Sequence, residues 1–285
     1  MRKSSLLVIS SVLATSIFSS VVSAAETEVE QVKPYSIDAI EKAFPDIPEE
    51  VKNLEFKIVM DNGKEYLTDK DVTKVSPEAL FSIFKELEDE ISSGKYTEVE
   101  LNKMAATKIK QASSSTEIKQ TIPTKESSVM ADYSIPGFGS LTDAEVSLAK
   151  KHPIEFTKYG AAAVSAKSES EKYYGGTQLY KGNGDAFRHS FWNALLVISF
   201  GGTNQGPLHG VNRAKAWTDA HEQNSSGIDK EMDLINNEIG RQYAYTNYYQ
   251  TNSQLSSGLR KMVGQGTMVR IVNNNLVATN GTTGK

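Results

Sequence analysis

The sequence of 285 residues contains no cysteine. A chain without cysteine forms no disulfide bond, offers no thiolate ligand to a metal and carries no lipid-modified cysteine anchor. A domain of this kind is therefore stabilised by its hydrophobic core alone. About 260 residues beyond a leader are enough for one or two such cores.

The sequence also lacks runs of basic residues. Beyond the N-terminus, the only adjacent basic residues are Lys150-Lys151 and Arg260-Lys261. Without Arg2 and Lys3, 29 basic residues stand against 35 acidic ones, which is a net charge of −6. This balance does not favour a protein that binds nucleic acid by neutralising phosphates. We therefore expect no nucleic acid among its partners.

The N-terminus has the three parts of a secretory leader. Arg2 and Lys3 precede an apolar run over residues 6–22, and Val22-Ser23-Ala24 offers small residues for cleavage. This pattern predicts a signal peptide at residues 1–24, with cleavage after Ala24 or, as second choice, after Ala25. A membrane anchor fits less well because the run is short. We expect a secreted protein with no stable membrane span.

Hydrophobic periodicity beyond the leader predicts a mainly α-helical protein. Residues 25–112 are expected to form a small α+β domain, in which alternation around Asp61-Asn62-Gly63 predicts a β-hairpin over 54–68. Residues 113–134 are rich in serine, threonine, lysine and glutamate, which is typical of a linker. Residues 135–285 are expected to form a helical domain that ends in a short β-hairpin.

Three segments of this second part hold both tryptophans and two of the four histidines: residues 185–192, 217–222 and 232–241. The first begins a helix that is apolar nearly all round and ends at Gly201-Gly202, which predicts a central, buried position. Asp185 and His189 are one turn apart on it and can touch. Burying charge without a partner is costly, so the pair is a candidate site.

The second segment places His221 on the apolar face of its helix, with Asp219 and Glu222 on the flank. A hydrogen-bonded core histidine is the simpler interpretation of either histidine alone. Two inward histidines with nearby acids favour a functional site. We expect Asp185, His189, His221 and Glu222 to act in catalysis. Asp219, His221 and Glu222 could also bind Zn²⁺ or a similar divalent metal.

The third segment places Asp233, Asn237 and Arg241 in one stripe, opposite its apolar face. Such a stripe is ordinarily solvated, and it becomes a binding surface only if it lines a cleft. With that condition, these three residues join Arg188 and Trp192 as candidate binding residues.

Two standard hydrolytic active sites are excluded because the sequence lacks residues that they require. Ser225 occupies the position where a zinc-protease helix needs its second histidine, and the Gly-x-Ser-x-Gly motif of serine hydrolases is missing.

The order of the three segments resembles an uncharacterised bacterial domain family found in exported proteins and at the C-termini of toxin-like proteins. The resemblance covers about residues 141–280 and rests on Asp185-Ala186-Phe187-Arg188-His189-x-x-Trp192, Asp219-Ala220-His221-Glu222 and Met232-Asp233-Leu234-x-Asn236-Asn237-x-x-Gly240-Arg241. The family has no established activity, so the resemblance implies a domain and not a reaction.

The hypothesis that we favour is a secreted helical hydrolase, with a metal centre as one option, acting on an ester, a phosphodiester or an envelope component. Its substrate would be a small molecule or part of the cell envelope. One alternative is a non-catalytic, envelope-associated protein whose histidine–acid pairs form a buried structural network. A second is a toxin-like effector. The hydrolase requires His189, His221 and a carboxylate to converge on an open pocket.

Overall fold

The computed structural model describes residues 33–52, 54–59, 62–119, 134–135 and 139–281. These residues form one compact unit, and most of them are helical. The prediction of a mainly α-helical protein is therefore confirmed. The predicted signal peptide and residues 120–133 of the predicted linker lie outside the described residues.

The N-terminal part contains four helices: α1 (Ile37–Ala43), α2 (Asp69–Thr73), α3 (Pro77–Ser93) and α4 (Glu98–Lys119). Ser76 begins α3 by accepting a hydrogen bond from the backbone of Ala79 (3.1 Å). Helix α4 extends beyond residue 112, the predicted end of the N-terminal domain, and so occupies the start of the predicted linker. The hydroxyl of Ser114 bonds back to the carbonyl of Lys110 (2.8 Å), which fits serine into this last part of the helix.

The prediction of a β-hairpin over residues 54–68 was wrong, because residues 54–59 and 62–68 contain no strand. Backbone donors on both sides of the predicted turn bond to residues of helices instead. The Lys57 N–H donates to Asp219 Oδ2 (2.8 Å), and the Tyr66 N–H donates to the Lys150 carbonyl (2.7 Å). Once these donors are satisfied by helices, the two arms gain little from pairing with each other. The described N-terminal part is helical and irregular rather than α+β.

The remaining helices are α5 (Asp143–Lys151), α6 (Pro153–Tyr173), α7 (Asn183–Gly201), α8 (Gly206–His221), α9 (Gly227–Thr246) and α10 (Asn252–Gln265). A two-residue pairing, β1 (Ser134–Ile135) with β2 (Gly139–Ser140), precedes them. The chain ends in an antiparallel hairpin of β3 (Val269–Val272) and β4 (Asn275–Ala278). Asn273 and Asn274 make its turn in the left-handed region, with φ of 50° and 58°. The terminal hairpin was predicted correctly.

Helix α7 is the centre of the molecule, with α6, α8, α9 and α10 packed around it. Two glycines let neighbouring backbones reach it. A Cβ atom on Gly240 of α9 would lie 2.1 Å from the Ser190 carbonyl oxygen, and one on Gly210 of α8 would lie 2.1 Å from that of Val197. The close approach brings the three segments of interest side by side.

The hydrophobic core is continuous from Ile40 in α1 to Met268, which directly precedes β3. Helices α3 and α4 pack on α6, and the Leu80 side chain lies against Gly160. No boundary between residues 25–112 and 135–285 is visible in the packing of the described residues. None of the described helices is both long enough and apolar enough to cross a bilayer.

Candidate functional site

Asp185, His189 and Asp233 bring their side-chain ends together where α7 and α9 meet. The Nε2 atom of His189 lies 3.4 Å from Asp185 Oδ1 and 3.4 Å from Asp233 Oδ1. One ligand atom from each residue falls within a group no wider than 4.8 Å. Asp185 and His189 are buried and Asp233 is half-buried. The first and third segments therefore share one cluster.

A chain of hydrogen bonds fixes which nitrogen of His189 carries a proton. Arg241 is only a donor, and its Nη1 binds Asn193 Oδ1 (3.0 Å). Asn193 must then present its amide nitrogen to Asn237 Oδ1 (2.7 Å). That oxygen can only accept, so His189 Nδ1, at 3.3 Å, is the donor. The Nε2 atom is left facing the two carboxylates.

The pKa values of the cluster reflect burial and mutual charge. Burial lowers the pKa of His189, but the Asp233 and Asp185 carboxylates more than reverse this effect, and the pKa rises. Burial raises the pKa of Asp185, but the hydrogen bond to His189 and the charge of Arg188 leave it below its usual value. Burial raises the pKa of Asp233 to about 7, against the opposing charge of His189 and with support from Glu222.

Asp185 is held rigidly by the turn that precedes α7. Its Oδ2 accepts the backbone N–H of Lys181 (2.5 Å), and its Oδ1 accepts from Arg188 Nη2 (2.6 Å). Lys181 adopts a left-handed φ of 58° to deliver that donor. Strained backbone of this kind is concentrated at functional sites.

His221 ends α8 and forms a second pair with Glu145, which lies on α5. The His221 Nδ1 atom is 3.0 Å from Glu145 Oε1, and the Tyr159 hydroxyl donates to the same oxygen. Glu145 is held in turn by the Thr142 N–H on its Oε2 (2.6 Å). Burial lowers the pKa of His221, but the Glu145 charge and hydrogen bond more than offset this, so the pKa is about 9.

Both histidines open onto one cavity of about 260 Å³. The predicted site residues that line it are Asp185, Arg188, His189, His221, Glu222 and Asp233. Glu222 is 1 % exposed, and its Oε1 has no hydrogen-bond partner among the residues that the structure describes. A buried carboxylate oxygen in this condition needs an explanation, such as an ion, a water molecule or a substrate.

Four predicted residues lie away from the cavity. The Asp219 Oδ2 atom accepts from Lys57 N–H and from Lys215 Nζ. Trp192 is fully buried, with its ring centroid 5.0 Å from that of Tyr159. Asn237 and Arg241 are buried in the network behind His189, so their stripe is not solvated. The predicted trio of Asp219, His221 and Glu222 does not form a ligand group in the described chain, whereas Asp185, His189 and Asp233 do.

Sequence reasoning missed two important residues, Glu145 and Asn193. Glu145 closes a capping box with Thr142, and this local role accounts for a glutamate at that position without reference to His221. Asn193 lies one turn after His189 on α7, and this spacing was the only available signal.

The family comparison identifies a domain but does not indicate which reaction, if any, it carries out. Residues 146–267 match a family model described as Domain of unknown function (DUF6973). All three segments lie inside the matched range, as do the Asp185, His189 and Asp233 ligand atoms. The comparisons with curated proteins and with solved structures found no match.

Proposed function

We propose that the chain is a secreted helical hydrolase that binds one divalent cation through Asp185, His189 and Asp233. The observation that carries the proposal is the convergence of these three ligand atoms within 4.8 Å at the wall of the cavity. One imidazole and two carboxylates suit Zn²⁺ and similar ions. The metal set differs from the predicted one, because Asp185, His189 and Asp233 replace Asp219, His221 and Glu222.

The tautomer of His189 is the one that metal binding at Nε2 requires. With Nδ1 donating to Asn237, a neutral ring would direct the lone pair of Nε2 at two carboxylate oxygens. Only a proton or a metal ion between them removes this repulsion. The amide behind the ring is the kind of outer support that metal-bound histidines have.

The other cavity residues have roles that follow from their contacts. A divalent cation at this centre would polarise the scissile bond and activate water. Glu222, with its unpartnered Oε1, is placed to accept a proton from that water. His221, held protonated by Glu145, is placed to donate a proton to the leaving group. Arg188 lies on the cavity wall beside Asp185.

The size of the cavity bears on the substrate. A volume of about 260 Å³ accommodates the reacting end of a molecule rather than all of a large one. An ester or phosphodiester whose remainder lies outside the mouth fits this shape. An envelope component of that chemistry fits as well, and it agrees with the proposed secretion.

Metal-dependent stability tests the proposal directly. We expect Zn²⁺ or Mn²⁺ to raise the melting temperature of the purified, chelator-treated protein, because a ligand that binds only the folded state stabilises it. His189→Gln and Asp233→Asn should abolish this rise and any activity found in a hydrolase panel. Asp219→Asn is the matched carboxylate-to-amide control and should retain the rise.

The rival structural network makes the opposite prediction for the same variants. A flat metal titration of the wild-type protein, with a large loss of stability in His189→Gln and no activity in the panel, would contradict the hydrolase. An Asp219→Asn variant that alone loses the metal response would instead move the ligand set to the second segment.

A further inference from the structure

A second and larger cavity, of about 870 Å³, lies at the C-terminal end of α7. It opens between α3 and α4 on one side and the start of α8 on the other. About 15 residues of helix separate it from Asp185, which corresponds to about 22 Å. Apolar side chains form much of its wall: Phe84, Ile91, Leu101, Ile198, Phe200 and Tyr248. The size and lining are those of a small-molecule site.

The acidic side chains of this cavity already have partners on the protein. Glu155 accepts from Arg213 Nε (2.8 Å) and from Trp217 Nε1 (2.8 Å). Glu88 pairs with Lys85 at the rim (2.9 Å). Glu98 lies 4.0 Å from a ring nitrogen of His152. These carboxylates are therefore engaged with other groups on the protein.

Lys158 is different from the other charged residues of the wall. Its Nζ donates one hydrogen bond, to the Ser199 carbonyl (2.8 Å). Across the described ranges, no carboxylate oxygen lies within 4.0 Å of that Nζ. Burial lowers the pKa of Lys158, and the charges of Glu155 and Glu98 oppose the shift without cancelling it. A half-buried ammonium without a counter-ion is costly, so an anion on this wall is favoured.

We propose that the large cavity binds an unbranched fatty acid, with its carboxylate on Lys158 Nζ and its alkyl chain along Phe84, Ile91 and Phe200. The single unpaired ammonium matches one negative charge. Glu88 and Glu98 near the rim disfavour a dianion such as a phosphate monoester. The apolar wall favours a ligand with an alkyl tail, because the burial of hydrocarbon supplies most of the affinity in such sites. This site is separate from the metal centre and does not depend on it.

Calorimetric titration of the full chain with hexanoate, octanoate and decanoate tests the proposal. We expect saturable binding of one molecule per chain, with affinity rising about fourfold for each added methylene. Decyltrimethylammonium, which has the same tail and the opposite charge, should bind at least tenfold more weakly than decanoate. Lys158→Gln should weaken decanoate at least tenfold, and it should melt at the same temperature or higher, because it removes an unpaired charge.

Lys167→Gln is the matched control, because Lys167 lies on the same helix and pairs with Glu171 at the surface. It should bind decanoate like the wild type. If Lys158→Gln fails to fold, Ile91→Asn provides the second test, since it should reduce the gain per methylene and leave the preference for the anion. The absence of saturable decanoate binding, equal binding of the cationic amphiphile, or wild-type affinity in a folded Lys158→Gln variant would overturn the proposal.

Discussion

Arg241 determines the tautomer of His189 through two asparagines, and this relay is the most informative feature at the scale of single residues. The guanidinium fixes the orientation of Asn193, Asn193 fixes that of Asn237, and Asn237 leaves His189 Nε2 facing the carboxylates. A stripe that would ordinarily be solvated is thus a buried support for the site. The position of α9 against α7 makes the difference.

Asn193→Asp tests this relay with a nearly isosteric change. The introduced carboxylate still accepts from Arg241, but it has no N–H for Asn237, so Asn237 must turn its amide nitrogen towards that carboxylate. The amide nitrogen of Asn237, which is a donor, then replaces its oxygen beside His189 Nδ1 as well. Nδ1 is no longer fixed as a donor, and the affinity for Zn²⁺ should fall about 10- to 100-fold. The melting temperature should hold, because the introduced carboxylate forms an ion pair with Arg241.

Calorimetry with Zn²⁺ and nitrogen NMR of the His189 ring measure the two effects of Asn193→Asp. Unchanged affinity with an unchanged tautomer would show that the relay does not control the ring.

A pH dependence of stability follows from His221. Burial lowers its pKa, but Glu145 more than offsets this and holds it at about 9, above the ordinary 6.5. The folded state therefore binds the proton more tightly than the unfolded state. The resulting stabilisation is fully present below about pH 6.5 and is lost as the pH rises through about 9. The contribution is on the order of 3 kcal/mol.

Melting curves of the metal-free protein between pH 6 and 9.5 measure this contribution. The wild type should lose stability across the range. Asp233, with a pKa raised to about 7, acts in the same direction at the lower end. His221→Gln should flatten the part of the slope above pH 7. A slope identical to that of the wild type would show that the His221–Glu145 pair does not titrate as described.

A contact between two site residues could be predicted from the sequence only where the two residues lie close together in the chain. Asp185 and His189 were paired by one helical turn, and both line the cavity. Glu145 is 76 positions from His221, and Asn193 is 44 positions from Asn237. Helical periodicity indicates which face of a helix is apolar, but it does not specify which helix will pack on that face.

At the scale of elements, helix packing and not turn chemistry positions the site. The Asn62-Gly63 turn signal failed because the backbone N–H groups of Lys57 and Tyr66, one on each side of it, bond to helices, which no local rule includes. The central position of helix α7 was predicted correctly, because a helix that is apolar nearly all round has only one low-energy position, in the centre of the protein. The glycine contacts between α7, α8 and α9 then set the distances between the three segments.

Gly240→Ala tests the contact between α9 and α7. Its Cβ would lie 2.1 Å from the Ser190 carbonyl oxygen, which is backbone, so the helices must separate. We expect a loss of about 2–4 kcal/mol in the free energy of unfolding. Gly264 lies in α10, and a Cβ there would meet nothing within 4 Å. The control Gly264→Ala should therefore gain up to about 1 kcal/mol from helix propensity.

Denaturant unfolding of the two glycine variants gives both values, and metal binding by folded Gly240→Ala shows how far the site depends on the contact. Equal stabilities for the two variants would mean that α9 does not approach α7 as closely as described.

At the scale of the whole molecule, the continuous core bears on how the chain folds. Composition separates residues 25–112 from 135–285, and the sequence therefore predicts two units. Packing joins them, because α3 and α4 cover one face of α6 while α7 covers another. Composition shows which segments of a chain are polar. The shared core depends on contacts between residues far apart in the chain, such as that of Leu80 with Gly160, and composition does not reveal such contacts.

A fragment of residues 135–285 distinguishes one core from two. Without α3 and α4, the apolar face of α6 is exposed to water, so we expect the fragment to melt well below residues 25–285 and to bind a hydrophobic dye. Leu80→Ala in the longer chain should lower a single cooperative transition, at a cost of about 2–5 kcal/mol. Two independent units would give a different pattern: the fragment would keep its full melting temperature, and Leu80→Ala would shift only one of two transitions. Calorimetry of the three proteins at one pH makes the comparison, because a shared core requires the site-bearing helices to lose stability when a residue on α3 is truncated.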